Sequence, residues 1–119
     1  MIVMDAAMAN VDRHSGNYGF MVDNSTGEVL RMAPLFDHNM ACLPMMMQQD
    51  DLEAYINAIG PKIGTDFIVT ARAVLTPAIR AKLVELKDFE YIDPGYDHPA
   101  WKLEVLNRLK NRQIDKILI

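Results

Sequence analysis

The stretch "NVDRHSGNYGF", Asn10 to Phe20, crowds Asp12, Arg13, His14, Asn17 and two glycines between two apolar runs. Upstream, "IVMDAAMAN" (2–10) is rich in Ala and Met, good helix formers, and predicts a helix that ends before the Asp12 loop. Downstream, "YGFMV" (18–22) reads as a short apolar strand and "DNSTGE" (23–28) as a turn, since Asp, Asn and Gly27 tolerate left-handed backbone. "VLRMAPLF" (29–36) then returns as a second strand, with Pro34 marking an edge or a strand end. A helix, a polar loop and a β-hairpin in this order are what decide the fold.

The loop has two readings. In one it is an ordinary polar turn, with Asp12 capping, Asn17 in a left-handed bend and Asp37 a plain loop residue. In the other it holds a metal and a reacting hydroxyl. Asp12 and Asn17 stand five apart and Asp37 follows the hairpin, and catalytic loops of protein kinases use an Asp with an Asn five positions later. There the Asp takes the proton of the incoming hydroxyl, while the Asn and a second Asp give hard oxygens to Mg²⁺. A hairpin between loop and second Asp is the connection that returns two sequence-distant ligands to one sheet end. Spacing alone leaves both readings open.

"NVDRHSGNYGF" followed by "MAPLFD" resembles the C-lobe of HipA-like serine/threonine protein kinases, known as toxins of toxin–antitoxin pairs. That family carries a D-x-H-x-x-N loop and then an Ala-Pro-Leu-aromatic-Asp strand end. The D-R-H-x-x-N form is also similar to phosphoinositide kinases, which share the distant fold. The resemblance spans residues 5–37 and is only general beyond them. It implies Asp12 as catalytic base with His14 beside it, Asn17 and Asp37 as Mg²⁺ and nucleotide ligands, and Arg13 as a residue that orients the loop or reaches phosphate. "DHNMACLP" departs from protein kinases, because His38-Asn39 follow the metal Asp where a switch phenylalanine would stand.

The remainder reads helical. In "DDLEAYINAIG" (50–60), Leu52, Tyr55, Ile56 and Ile59 form one stripe closed by Gly60, and the acidic pair Asp50-Asp51 opens it where the helix dipole favours negative charge. "TDFIVTARAVL" (65–75) has Thr65 as its expected cap, with Phe67, Ile68, Ala71 and Leu75 on one side. "TPAIRAKLVELK" (76–87) opens with Thr76 and Pro77 and turns Ile79, Leu83 and Leu86 inward. After the loop "DPGYDHP" (93–99), Pro99 starts a last helix to about Leu118. The "MMM" at 45–47 reads as apolar filler in a core or a loop. The expected architecture is α+β and mostly helical, one domain over 1–119: helix, catalytic loop, hairpin, then four helices, as in a protein-kinase-like C-lobe.

The 119 residues carry 12 cations and 16 acids, a net charge of −4 that argues against a wholly nucleic-acid-binding or membrane-binding surface. Residues 99–119 carry five cations against two acids, which reads as a solvated helix face; no direct nucleic-acid binding is expected. A single cysteine, Cys42, excludes an internal disulfide and zinc held by paired thiols, and fits a cytoplasmic protein. No apolar run approaches the roughly 18 residues of a membrane span.

The resemblance also implies a missing half. Such kinases hold ATP between two lobes, and the N-lobe brings a phosphate-covering loop and a Lys that pairs the phosphates. No glycine-rich loop of that kind stands in this sequence, so the N-lobe reads as absent and the chain as inactive alone. ATP and Mg²⁺ are then expected only when an N-lobe completes the site. A homo-oligomer, or a chain supplying the missing lobe, would cover the apolar surface left behind. Two alternatives stand beside this reading: a non-catalytic module engaging an antitoxin-like DNA-binding partner, and a stand-alone nucleotide or phosphate-binding regulator.

Overall fold

The Ala-rich start forms helix α1, Ile2–Met8, in a computed structural model that describes residues 1–119. Its apolar side, Val3 and Ala6, runs into the core, and small alanines let neighbouring helices approach closely. The helix ends where Ala9 adopts a left-handed conformation (φ 51°) and returns its N–H to the carbonyls of Asp5 and Ala6. The polar loop follows, containing one 3₁₀ turn at Ser15–Asn17.

Strands β1 (Phe20–Val22) and β2 (Val29–Met32) pair antiparallel, with Phe20 opposite Met32 and Met21 opposite Arg31. The turn between them is held by Asp23, whose carboxylate accepts from the Ser25 and Thr26 amides and the Ser25 hydroxyl. The second strand is shorter than the expected 29–36. Regular pairing ends at Met32, and one further ladder bond, Ala33 N–H to the Gly19 carbonyl at 2.9 Å, precedes Pro34, which has no N–H to continue it. The hairpin is also less buried than an apolar pattern implies: Phe20, Met21, Val22, Val29 and Leu30 are all exposed.

Four helices complete the chain: α2 (Leu52–Asn57), α3 (Phe67–Ala73), α4 (Pro77–Leu86) and α5 (Ala100–Leu118). Asp51 caps α2 and Thr76 caps α4 ahead of Pro77, each cap contributing about 1 kcal/mol. The cap of α3 is Asp66 rather than the expected Thr65. Its carboxylate accepts from the amides of both Ile68 and Val69, and an ionised acceptor at a helix start adds a favourable dipole interaction.

One cluster draws on every helix: Val3, Ala6 and Ala9; Leu52 and Ile56; Phe67 and Ala71; Leu83; Leu109, Ile114 and Ile117. Loop residues Leu43 and Met46 join it, so of the three consecutive methionines only Met46 is filler while Met45 and Met47 are exposed. Burying each large aliphatic side chain contributes about 1.5–3 kcal/mol. Ile79, expected inward, sits at the surface. The basic end of the chain is not simply a solvated face either. Lys110 is buried on α5 and donates to the carbonyls of Leu86, Lys87 and Phe89, satisfying the open C-terminal end of α4. No helix is long and apolar enough to cross a membrane.

Candidate functional site

The loop is organised from beneath by a buried ion pair. Asp5, on α1, is the one acid in "IVMDAAMAN"; it is 5% exposed and Arg13 2%. The Arg13 Nε donates to Asp5 Oδ2 and Nη2 to Asp5 Oδ1, both at 2.9 Å. Asn10 completes this arrangement: its Nδ2 donates to Asp5 Oδ1 at 3.0 Å, and its Oδ1 accepts from the Asp12 amide at 3.2 Å. Hydrogen bonding to Asp5 raises the Arg13 pKa against the opposing effect of burial, with the charges of Asp5 and Asp37 assisting. Every polar side-chain atom of this buried group has a partner, as a charge in a low-dielectric interior requires.

The remaining guanidinium nitrogen does the joining. Arg13 Nη1 donates to the Asn17 carbonyl at 2.9 Å and to the Phe36 carbonyl at 2.7 Å. One nitrogen thereby holds the end of the loop to the end of the hairpin, next to Asp37. Asp37 itself lies in the left-handed region (φ 58°), which Asp tolerates better than most residues and which turns the chain sharply after Phe36. Arg13 is therefore turned inward, with each of its three side-chain nitrogens donating to the loop and its supports, a geometry suited to orienting the loop.

The other expected residues sit around this staple. Asn17 is buried, and its Nδ2 donates to the Asp12 carbonyl at 2.7 Å, which orients the amide and leaves Oδ1 as its acceptor group. His14 caps the 3₁₀ turn: its Nδ1 accepts from the Gly16 amide at 3.0 Å. A Cβ at Gly16 would lie 2.9 Å from the imidazole, so the glycine in "HSGN" makes room for the ring. With Nδ1 accepting, Nε2 carries the proton of the neutral ring and lies 3.9 Å from Asp12 Oδ2.

Asp12 gains a partner that the loop does not contain. Lys62, from the segment between α2 and α3, donates its ammonium to Asp12 Oδ1. That hydrogen bond lowers the Asp12 pKa below the ordinary carboxylate value, against partial desolvation and with the charge of Lys62 adding to it. Asp12 is thus an accessible, ionised carboxylate, able to accept a proton.

No group of three or more His, Cys, Asp or Glu side chains converges on one point. Asn17 and Asp37 together offer an amide oxygen and a carboxylate, both hard ligands of the kind Mg²⁺ takes in small number while keeping positions for phosphate and water. The largest groove, about 700 Å³, lies elsewhere: it is lined by Met1 to Met4, Met32, Ile79, Leu83 and Phe89 among others, and includes none of these polar residues. No protein-family model, no curated protein and no solved structure matches the chain.

Proposed function

We propose that this chain is a phosphotransferase-type domain, acting as the catalytic C-lobe of a HipA-like serine/threonine kinase. The observation that supports it most is the double hydrogen bond of Arg13 Nη1, which ties Asn17 to Phe36-Asp37 across the hairpin. A merely polar turn has no need to spend a buried arginine on joining these two segments.

In this reading Asp12 accepts the proton of a serine or threonine hydroxyl as its oxygen bonds to the terminal phosphorus of ATP and the bond to ADP breaks. Asn17 and Asp37 are the residues that would hold Mg²⁺, which when bound neutralises charge on the phosphate oxygens. His14 braces the loop through Gly16 and faces Asp12. These 119 residues hold no glycine-rich phosphate-covering loop, and in this reading transfer needs one to be supplied. Without it the domain transfers phosphate slowly or not at all, since each 1.36 kcal/mol of lost transition-state stabilisation is a tenfold loss of rate.

Calorimetry with Mg²⁺ tests the part of the site that these residues would form without a second lobe. Binding by the wild-type chain, abolished in Asp37→Asn, supports the reading; equal heats from the two proteins contradict it. A second reading, a binding module for an antitoxin-like DNA-binding protein, draws support from the exposed apolar hairpin, whose Phe20 and Val29 are each 60% exposed.

A further inference from the structure

We infer that Lys62 is a phosphate-binding residue of this site, a cation that leaves Asp12 to pair with the phosphoryl group; this rests on the phosphotransferase reading above. Lys62 lies fifty residues from Asp12 in sequence, so their meeting is a product of the fold.

The segment that carries it is built rather than loose. Pro61 and Ile63, on either side of Lys62, are half-buried and line a small cavity with Asp5, Asn10 and Arg13, the same residues that support the catalytic loop. Gly64 takes a left-handed φ of 85°, and a Cβ there would stand 2.1 Å from the Thr70 hydroxyl oxygen, so only glycine lets the chain turn here. Anchors on both sides push the intervening Lys62 outward, with its side chain 53% exposed and its head at Asp12.

Beside the Mg²⁺ that Asn17 and Asp37 would hold, the site has room for a protein cation. Asp12 and Asp37 bring two negative charges, and an incoming phosphate brings more. Arg13 is committed inward, and the His14 ring spends Nδ1 on Gly16. Lys62 is the ammonium that reaches Asp12. An exposed lysine–carboxylate pair is weak and exchanges readily for a more highly charged partner, and lysine is suited to phosphate as a point charge on a flexible stem.

The test is a ³¹P NMR titration with two probes in the presence of Mg²⁺: tripolyphosphate, standing for the nucleotide's phosphates, and phosphoserine, standing for the product. Wild-type protein binds at least one probe, and which one identifies the source of the phosphate. Lys62→Met weakens that binding about tenfold or more, the scale of one charge-assisted hydrogen bond, while Lys62→Arg stays within about threefold. The double variant Asp12→Asn/Lys62→Met separates phosphate contact from mere charge balance. Binding that stays weak supports contact; binding restored to wild type shows that Lys62 only neutralises Asp12 and overturns the inference. Equal binding by wild type and Lys62→Met overturns it as well, while leaving the Asp37 site standing. A wild-type protein that binds neither probe overturns the site reading and Lys62 with it.

Discussion

Replacing Arg13 by Met removes the charge that Asp5 was folded against and unfastens Asn17 from Phe36. Four hydrogen bonds go at once: two to Asp5 and two to backbone carbonyls. With the pair only 2% and 7% exposed at the side chains, Asp5 is left as an uncompensated buried carboxylate, and breaking such a pair costs about 3–5 kcal/mol. Against a total stability of about 5–15 kcal/mol for a domain, that is a large fraction. At about 4 °C per kcal/mol for a chain of this size it lowers Tm by about 12–20 °C. The double variant Arg13→Met/Asp5→Leu tests the cause, since it removes the stranded charge and adds only the Asn10 amide, worth about 1–3 kcal/mol, to the Asn17 and Phe36 carbonyls that the single variant already orphans. It therefore melts above the single variant. Thermal and urea unfolding followed by circular dichroism measure both. A shift under about 2 °C for Arg13→Met, or strictly additive effects of the two substitutions, would refute the reasoning, because groups in one network couple by about 0.5–3 kcal/mol.

Gly64→Ala strains a left-handed position and collides with Thr70; it should destabilise by about 1–2 kcal/mol in urea unfolding, and an unchanged midpoint would show that the 60–64 segment is not fixed as described. Asp12 should titrate below the ordinary aspartate range, followed by its side-chain carbonyl in ¹³C NMR, and move upward in Lys62→Met. Because the folded value is depressed, the pair's contribution to stability is present above the unfolded pKa and fades as pH falls through the folded one. An Asp12 titration that ignores Lys62→Met contradicts the assignment of Lys62 as the dominant influence.

The α+β order was legible because its signals are local. Thr76-Pro77 starts a helix by itself, and "DNSTGE" forms the hairpin turn through contacts within six residues; α2, by contrast, ends at Asn57 with Ala58 as its cap, short of the expected Gly60. Thr65 and Asp66 are both competent caps standing side by side, and the choice between them depends on where the chain turns after Gly64. The exposure of the hairpin and of Ile79 was not legible, since period and polarity say which residues share a face and not whether anything covers it.

For the site the division is similar. The "DRHSGN" loop and the terminal Asp37 stand out by spacing. Their supports are Asp5 on an otherwise apolar helix and Lys62 between Pro61 and Ile63, fifty residues away. A lone acid among Ala and Met is a sign that a buried cation awaits it, and "GPKIG" is a turn that presents its lysine; neither pattern names its partner.

In the proposed function Asn17 and Asp37 hold one divalent cation beside Asp12. Manganese, a paramagnetic substitute for Mg²⁺, reports this directly when titrated at substoichiometric amounts into ¹⁵N-labelled protein. The expected result is signal broadening confined to residues 12–17 and 36–38 together, and its loss in Asp37→Asn. Broadening scattered over surface acids such as Asp50, Glu85 and Glu90, or unchanged by Asp37→Asn, would contradict it.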